Sequence, residues 1–456
     1  MGWMTDIIVM VALCSISALL GSIVGAFAGL VPGLHPNTLA VLFSGIPPVA
    51  ILWTTAANSL ELAPGSAPLL LGCFLIGLLM SHSLTEVIPT AMLGIVDDET
   101  VVSQLPSQRL YNMGRSDLVV ESVIVGGLGA VLLFAIILIP TGVLMGAPVQ
   151  LYSAMKPLMG LLLLGIACNV LVRGRDKARI AKSLMIFFLS GSIGIALLTL
   201  QIPVHLTHIV FPGIWAVDSS SFLLPAFSGM FALPSLAFSV GKGRKNAVRT
   251  ISCERVEVLR VRPLLSSILP SVMVGWLPGI TNAYATTFSL RRGRDISSIA
   301  RSASSYLVTY SATNVGGSLQ SILAMGTILR FRNGTLEAVG SNFPGDALMW
   351  HDVLNPPVSM LAFLWAACIS IVLGAWLCRF LGSRTLSRGS RNEPRLMRYS
   401  VLLLLVSLSF ILAGPIGLLV LASCFLVGTW AIRIGAPRIH LMGVLLVPVI
   451  VFFMAQ

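Results

Sequence analysis

Charged residues are scarce in this chain, and their scarcity excludes an ordinary soluble domain. Asp, Glu, Lys and Arg make up 10% of the 456 residues, whereas 56% are hydrophobic, and the mean hydropathy is +0.93. A soluble domain carries about 25% charged residues. Apolar runs that are long enough to cross a bilayer recur from end to end. We therefore expect an all-α, multi-pass protein of the cytoplasmic membrane, with about 10 to 12 transmembrane helices at roughly 20 residues per span.

Motifs of soluble chemistry are also lacking. None of the seven cysteines forms a CxxC pair, so disulfide and metal frameworks are not expected. The chain has no Walker motif, nucleophile elbow or GxGxxG fingerprint. We predict that it is not an enzyme, that it binds no metal or organic cofactor and that it does not hydrolyse ATP. The first apolar run, Ile7 to Leu30, lacks the basic start of a signal peptide, so we interpret it as a retained membrane helix.

Lys and Arg are absent from the first 108 residues, and beyond them they come mainly in bursts. The net charge of +12 lies mostly in short loops without interleaved aromatic residues, so no nucleic-acid partner is expected. Basic loops of membrane proteins face the cytoplasm. The bursts comprise residues 173–182, 242–262, 291–301 and 379–398, and Arg109, Arg115, Arg433 and Arg438 fall on the same side. The predicted domains are a first transmembrane repeat (1–240), a basic cytoplasmic linker (241–262) and a second transmembrane repeat (263–456).

A Pro-Gly tetrad occurs once in each predicted repeat. Val31-Pro32-Gly33-Leu34 returns as Leu277-Pro278-Gly279-Ile280, within segments 31–38 and 277–286. Proline breaks a helix, and glycine permits unusual backbone angles. Matched breaks in two halves of a membrane protein indicate the binding site of a transporter, and the helix that restarts after each break presents N–H groups to an anion. The alternative is that each motif only kinks a helix for packing.

The residues around these breaks are the predicted substrate site. Small polar side chains follow each tetrad. A further polar side chain, Asn314, lies in the segment Ser311–Ser318. The alternative for this segment is that its small residues allow close helix packing. The predicted substrate-binding residues are Pro32, Gly33, His35, Asn37, Thr38, Pro278, Gly279, Thr281, Asn282 and Asn314.

His82 and Glu86 are four residues apart, on one face if the segment is helical. An ionisable pair at membrane depth is a candidate proton relay or ion site. We predict that this pair couples transport to H⁺ or Na⁺. The alternative places Glu86 at the surface and His82 at the membrane interface. Zinc would need further ligands that the sequence does not place nearby.

Several polar stretches remain ambiguous from the sequence. Asp97-Asp98-Glu99 is either a solvated loop or a gate or cation-attracting mouth. Four apolar pieces are too short or broken to span simply and fit re-entrant half-helices better. These pieces are Asn37–Ala57, Ser83–Val96, Ile202–Val217 and Asn314–Leu329.

The order of these segments resembles the integral-membrane permease of the tripartite tricarboxylate transporters, the TctA-like proteins, and in particular their divergent branch common in archaea. The segments that carry the resemblance are Gly29–Pro36, Ser81–Pro89, Leu105–Gly114, Phe211–Ile214 with Pro225–Leu233, Gly275–Gly279 and Ser311–Ser318. In the family, Leu105–Gly114 corresponds to a basic loop. The resemblance implies a small anionic substrate, a lipid environment, a small membrane subunit and an extracytoplasmic binding protein.

The chain departs from citrate-type members where substrate should lie. Those members are rich in Gly and Ala after the second Pro-Gly pair, whereas this chain has Thr281-Asn282-Ala283-Tyr284, and His35 and the single Asn314 also differ. The leading hypothesis is a secondary transporter of an organic anion, such as a tricarboxylate, working by alternating access. A weaker resemblance to carriers of polyisoprenyl-phosphate lipids supplies the alternative. An intramembrane enzyme that uses His82 and Glu86 is a third hypothesis.

Overall fold

The computed structural model places helices throughout the part of the chain that it describes, without a strand, as the all-α prediction requires. The described residues are 2–45, 47–59, 62, 66–94, 100–172, 176–199, 222–239, 261–289, 299–343, 345–352, 355–388 and 395–455. Asp97–Glu99, Ile202–Val217 and the predicted linker as far as Arg260 lie outside these residues.

The described residues form twenty-one α-helices, numbered in chain order. In the first part of the chain they are α1 Gly2–Ala28, α2 Pro36–Gly45, α3 Pro47–Ser59, α4 Ser66–Thr85, α5 Val87–Leu93, α6 Gln104–Asn112, α7 Ser116–Met145, α8 Leu151–Met155, α9 Met159–Leu171, α10 Lys177–Thr199, α11 Leu223–Phe227 and α12 Leu233–Ser239. In the second part they are α13 Val261–Leu265, α14 Ile268–Trp276, α15 Asn282–Ser289, α16 Ile299–Ile328, α17 Gly334–Gly340, α18 Gly345–Leu348, α19 Val358–Arg388, α20 Arg395–Arg433 and α21 Gly443–Met454.

Seven described helical segments are long and apolar enough to cross a membrane. They are Ile7–Ala28, Ser66–Leu93, Ser116–Met145, Leu151–Leu171, Lys177–Thr199, Val358–Leu386 and Arg398–Arg433. Helix α20 is interrupted at Gly414, where φ is +61° and ψ is −158°. These spans make the chain a multi-pass membrane protein, while the predicted total of 10 to 12 spans stays a prediction.

Helices α1 and α4 pack with their backbones close together because glycines face each other's helix. The Cβ positions of Gly21 and Gly25 on α1 point at the backbone of Phe74 and Leu78 on α4, and Gly77 on α4 points back at α1. Small residues allow this approach in membrane helices, where dispersion and polar contacts replace the hydrophobic effect. The close packing buries α4 almost completely, so its polar end, Ser81–Glu86, lies inside the protein.

Helix α16 is also deeply buried, because every residue from 307 to 326 is buried. The prediction that Asn314–Leu329 forms a separate half-helix is wrong, because α16 continues unbroken from Ile299 to Ile328. Its Gly316 and Gly317 do not break it but let neighbouring helices approach. The Cβ position of Gly316 lies 2.6 Å from the Ser271 hydroxyl of α14, and that of Gly317 lies 2.8 Å from a methyl group of Val274.

The two predicted repeats interleave in the structure. Helix α1 packs on α4 and α14 packs on α16, each pair within its own half of the sequence. Across the halves, α4 packs on α19 and α16 packs on α7. The two buried helices, α4 and α16, therefore both lie among helices from the two halves, and polar groups on them can meet.

Candidate functional site

Both Pro-Gly tetrads lie where a helix ends and a short helix begins. Helix α1 ends at Ala28 and α2 starts at Pro36, while α14 ends at Trp276 and α15 starts at Asn282. Gly33 and Gly279 have φ values of +84° and +74°, in a region that residues with a Cβ rarely adopt. The predicted breaks in the helices at both motifs are therefore confirmed.

A third break lies between α4 and α5, at Glu86. The amide of Glu86 still donates to the carbonyl of His82 at 3.1 Å, but the chain then turns into α5. Pro89 has no N–H to offer the carbonyl four residues before it, which favours the end of α4 at this point. Only 4% of Glu86 and 4% of His82 is exposed. The alternative that placed Glu86 at the protein surface is therefore wrong, since close packing on α1 and α16 buries it.

Glu86 is surrounded by groups that stabilise a carboxylate. Its Oε2 lies 3.5 Å from His82 Nδ1. Its Oε1 accepts hydrogen bonds from Asn314 Nδ2 at 2.9 Å and from the Tyr310 hydroxyl at 3.2 Å. Tyr310 and Asn314 are one turn apart on α16. A buried carboxylate from the first half of the chain is thus held by two donors from the second half.

The same contacts reach both Pro-Gly motifs. On one side, His82 Nε2 lies 3.1 Å from the carbonyl oxygen of Leu34, in the first tetrad. On the other, Asn282 Nδ2 donates to Asn314 Oδ1 at 2.6 Å, and Asn282 starts the helix after the second tetrad. We call this series, Leu34–His82–Glu86–Asn314–Asn282, the polar chain. It is a continuous path of polar contacts through the buried centre of the protein.

Some of the other predicted site residues lie close to this polar chain in space or in sequence. The ring centroid of His35 is 6.0 Å from that of His82. Pro32 and Thr38, within three residues of His35 in the sequence, are buried. Three oxygens after the second tetrad are buried without a hydrogen-bond partner among the described residues: Oγ1 of Thr281, Oδ1 of Asn282 and Oγ1 of Thr286. The two threonine hydroxyls can donate or accept a hydrogen bond, whereas the Asn282 oxygen can only accept one.

Asn37 contacts a different part of the protein. Its Oδ1 accepts from the amide and the hydroxyl of Thr335, both at 3.1 Å, and Gly334 packs against its side chain. Thr335 lies in the first turn of α17. The Asn37 amide therefore joins α2 to α17, and its predicted role in substrate binding stays a prediction.

Two contributors, Tyr310 and Arg332, were missed from the sequence. Tyr310 precedes Asn314 by four residues, so helical spacing from Asn314 was the signal that could have found it. Arg332 donates to the carbonyl oxygen of Leu277 at 2.7 Å and also to that of Ile280. These are the first and last residues of the second tetrad, and no local pattern links them to an arginine more than fifty residues away. Arg332 satisfies carbonyl groups that the broken helix leaves without partners.

The predicted basic loop at Leu105–Gly114 is wrong in its conformation. Gln104–Asn112 forms α6, with Pro106 in its first turn, where a missing N–H costs nothing. Gly114 follows with φ +73° and ends the segment. The Gln104 amide donates to the Gly94 carbonyl at 2.9 Å, which ties α6 to the end of α5.

With the breaks and the buried pair in place, comparison with known proteins decides the family. The chain matches the Tripartite tricarboxylate transporter TctA family over residues 16–443. The chain belongs to the TctA family. An uncharacterized protein of Methanocaldococcus jannaschii is 29% identical over 222 residues, which are 48% of this chain and 46% of that protein. The chain thus matches about half the length of this relative. No solved structure matches the chain.

Membership in the TctA family confirms the resemblance that the order of sequence segments indicated. The matched region includes both Pro-Gly tetrads, His82, Glu86 and Asn314.

Proposed function

We propose that this TctA-family chain is a secondary active transporter that moves a small organic anion with several carboxylates, by alternating access coupled to H⁺ or Na⁺. The observation that carries the proposal is the polar chain, which runs from the first Pro-Gly motif to the second through a buried carboxylate. A conformational change at either motif or at Glu86 would therefore alter the contacts at the other two positions. Coupling between substrate and ion requires such a connection.

The anion is the substrate class that the broken helices favour. Helices α2 and α15 begin immediately after the tetrads, and helix N-termini present free N–H groups and a partial positive charge. The neighbouring side chains are His35, Thr281 and Asn282, none of them acidic. A carboxylate at either break would find donors and no opposing charge from these residues.

The geometry around His82 supports H⁺ as the coupling ion. The Leu34 carbonyl can only accept, so His82 Nε2 must carry the hydrogen in the 3.1 Å contact. His82 Nδ1 then faces Glu86 Oε2 at 3.5 Å. In a neutral histidine Nδ1 would also be an acceptor, and two acceptors would face each other. The pair avoids this conflict by holding one proton, either on the imidazole or on the carboxyl group.

That shared proton gives alternating access a simple trigger. With the proton lost, His82 and Glu86 repel through lone pairs and charge, and the contact between α4 and the first tetrad weakens. Glu86 also holds Tyr310 and Asn314 of α16. Loss or gain of one proton would therefore change the attachment of both motifs. A Na⁺ ion beside Glu86 and Asn282 would exert the same control in the second version of the proposal.

The packing of the helices supports two structural repeats that move against each other. The pair α1 and α4 corresponds to the pair α14 and α16, each with its Pro-Gly motif, and the cross-contacts of α4 with α19 and of α16 with α7 correspond as well. Transporters with paired broken helices use such repeats for alternating access. We propose the same division for this chain, with 241–262 as the linker.

Family membership favours this function over the other two hypotheses. The same membership supports a small membrane subunit and an extracytoplasmic binding protein as partners. The polyisoprenyl-phosphate alternative shares the anionic headgroup and is separated from the proposal by direct assay.

The test is uptake by the purified protein in proteoliposomes, together with thermal stabilisation in detergent, across mono-, di- and tricarboxylates and a polyprenyl phosphate. We expect uptake and stabilisation by di- or tricarboxylates. We expect Asn282→Ala to weaken both, and Asn342→Ala, a control at an exposed asparagine, to leave them unchanged. Stabilisation by the polyprenyl phosphate alone, or no response to any carboxylate, would contradict the proposal.

A further inference from the structure

Three basic residues break the charge pattern of the chain. Of 29 Lys and Arg residues, all but Lys156, Arg330 and Arg332 belong to the cytoplasmic set defined by the sequence. Lys156 lies in the chain that follows the end of α7, and Arg330 and Arg332 lie just after the end of α16. Helix α7 begins at Ser116, next to Arg115, and ends at Met145, while α16 runs from Ile299 to Ile328 and has Arg301 near its start. By the positive-inside bias, the far ends of both helices are extracytoplasmic.

All three of these residues line one pocket. The pocket has a volume of about 730 Å³ and lies between the far ends of α7 and α16. Its wall includes Pro278 and Gly279 of the second tetrad, and none of the described residues that line it is acidic. The volume falls within the range of small-molecule sites, about 300 to 1,000 Å³. Lys156, Arg330 and Arg332 each bring a positive charge to its wall.

The backbone around this pocket is strained. Gln150 and Leu329, with φ values of +55° and +49°, are the two non-glycine residues with positive φ in the described part of the chain. Both line the pocket, one just before α8 and the other just after α16. Backbone strain of this kind persists where the surroundings enforce it and clusters at functional sites.

Each arginine is held in a defined position. The Arg330 guanidinium lies 5.7 Å from the ring centroid of Tyr152 and 5.4 Å from that of Phe453. Arg332 donates to the Leu277 carbonyl. An anion bound to Arg332 would therefore contact a residue that is itself hydrogen-bonded to the second tetrad. Nearby, the Asp352 carboxylate accepts from Asn355 Nδ2 at 2.7 Å, and Asp352 itself does not line the pocket.

We propose that this pocket is the extracytoplasmic capture site for a small anion that carries two or more carboxylates. The inference rests on the proposed function and adds the entry site and its residues. The fork of a guanidinium matches a carboxylate, and Lys156 adds a compact third charge. The pocket collects the anion at the surface, and the contact of Arg332 with the tetrad directs it to the broken helix.

The test compares uptake of citrate, succinate and acetate by proteoliposomes made of phosphatidylcholine alone, so that no anionic lipid competes. The variants are Lys156→Gln and Arg330→Gln, singly and together. Their matched controls are Lys182→Gln and Arg384→Gln, which neutralise exposed basic residues at the cytoplasmic end. We expect the KM for citrate to rise about tenfold in the double variant, with kcat within about twofold, as for lost electrostatic steering.

Two further readouts separate capture from a structural role. The rise in KM should decrease in the order citrate, succinate, acetate, since fewer charges meet the pocket. Raising the ionic strength should raise the KM of the wild-type protein towards that of the double variant, because salt screens exposed charges. A merely structural loss would lower kcat for all three substrates and would not depend on salt.

Three other outcomes would contradict the inference, and each identifies which claim is wrong. If the wild-type protein neither binds nor transports any carboxylate, the proposed function fails. If the wild-type protein transports and the double variant keeps its KM, only the capture site fails. If the variants change uptake solely when an extracytoplasmic binding protein delivers the substrate, the basic residues dock an acidic protein surface, and the capture site is wrong.

Discussion

The glycines of the two tetrads can be tested by replacing each with alanine. Gly33 and Gly279 have φ values of +84° and +74°, whereas Gly114 and Gly435 have nearly the same φ, +73° and +72°. A Cβ at Gly114 or Gly435 would meet nothing within 4 Å. These two positions are matched controls, because they share the backbone conformation and lack the crowding.

The expected losses follow from two terms. A left-handed backbone costs a residue with a Cβ about 1 to 2 kcal/mol, and all four variants carry this term. At Gly33 the new Cβ would also strike the side chain of Leu405, which is fully buried, and overpacking adds about 1 to 3 kcal/mol. At Gly279 the nearest atoms, on Leu446 and Val449, are 3.3 and 3.4 Å away, so the added term is small.

The assay is thermal or denaturant unfolding of each purified variant in detergent, followed by substrate uptake. We expect the loss of stability to be largest for Gly33→Ala, smaller for Gly279→Ala, and smallest and equal for the two controls. Transport should fall in the first two variants only, because only those positions shape the helix breaks. Adding Leu405→Ala to Gly33→Ala should lose less stability than the two single changes summed. Equal losses at Gly33 and Gly114, or normal transport by Gly33→Ala, would refute the reasoning.

Two other substitutions test the surrounding structure. Asn37→Ala should lower the unfolding temperature, because both Thr335 contacts are lost, and it should leave the KM for substrate unchanged. A raised KM with unaltered stability would instead favour the predicted role in binding. Gln320→Leu should destabilise the protein by about 1 to 3 kcal/mol, because the buried Trp276 Nε1 loses its acceptor at 2.7 Å. Equal stability of the variant and the wild-type protein in denaturant would contradict that contact.

Local chemistry explains which predictions the structure bears out. The breaks at Gly33 and Gly279 could be predicted because proline and glycine act on the backbone at their own positions. The His82–Glu86 contact could be predicted because helical spacing puts residues four apart on one face. Membrane helices follow from apolar length alone. In each case the cause lies within a few residues of its effect.

Features that depend on distant contacts could not be predicted in the same way. The segment Asn314–Leu329 suggests a break, but packing of Gly316 and Gly317 against α7 and α14 keeps α16 continuous. Arg332 reaches the Leu277 carbonyl across 55 positions, and Asn37 is drawn to Thr335 across 298. Such pairs become visible only when the helices are packed.

The most direct test of the polar chain is whether the Glu86→Gln variant still exchanges substrate across the membrane but no longer accumulates it. The change keeps the shape and the acceptor oxygen for Asn314 and Tyr310, but it removes the group that shares a proton with His82. In proteoliposomes loaded with the transported carboxylate, the variant should exchange internal for external substrate. It should fail to accumulate substrate when a proton gradient is imposed, whereas the wild-type protein should do both. Accumulation by Glu86→Gln at the wild-type level would contradict the account.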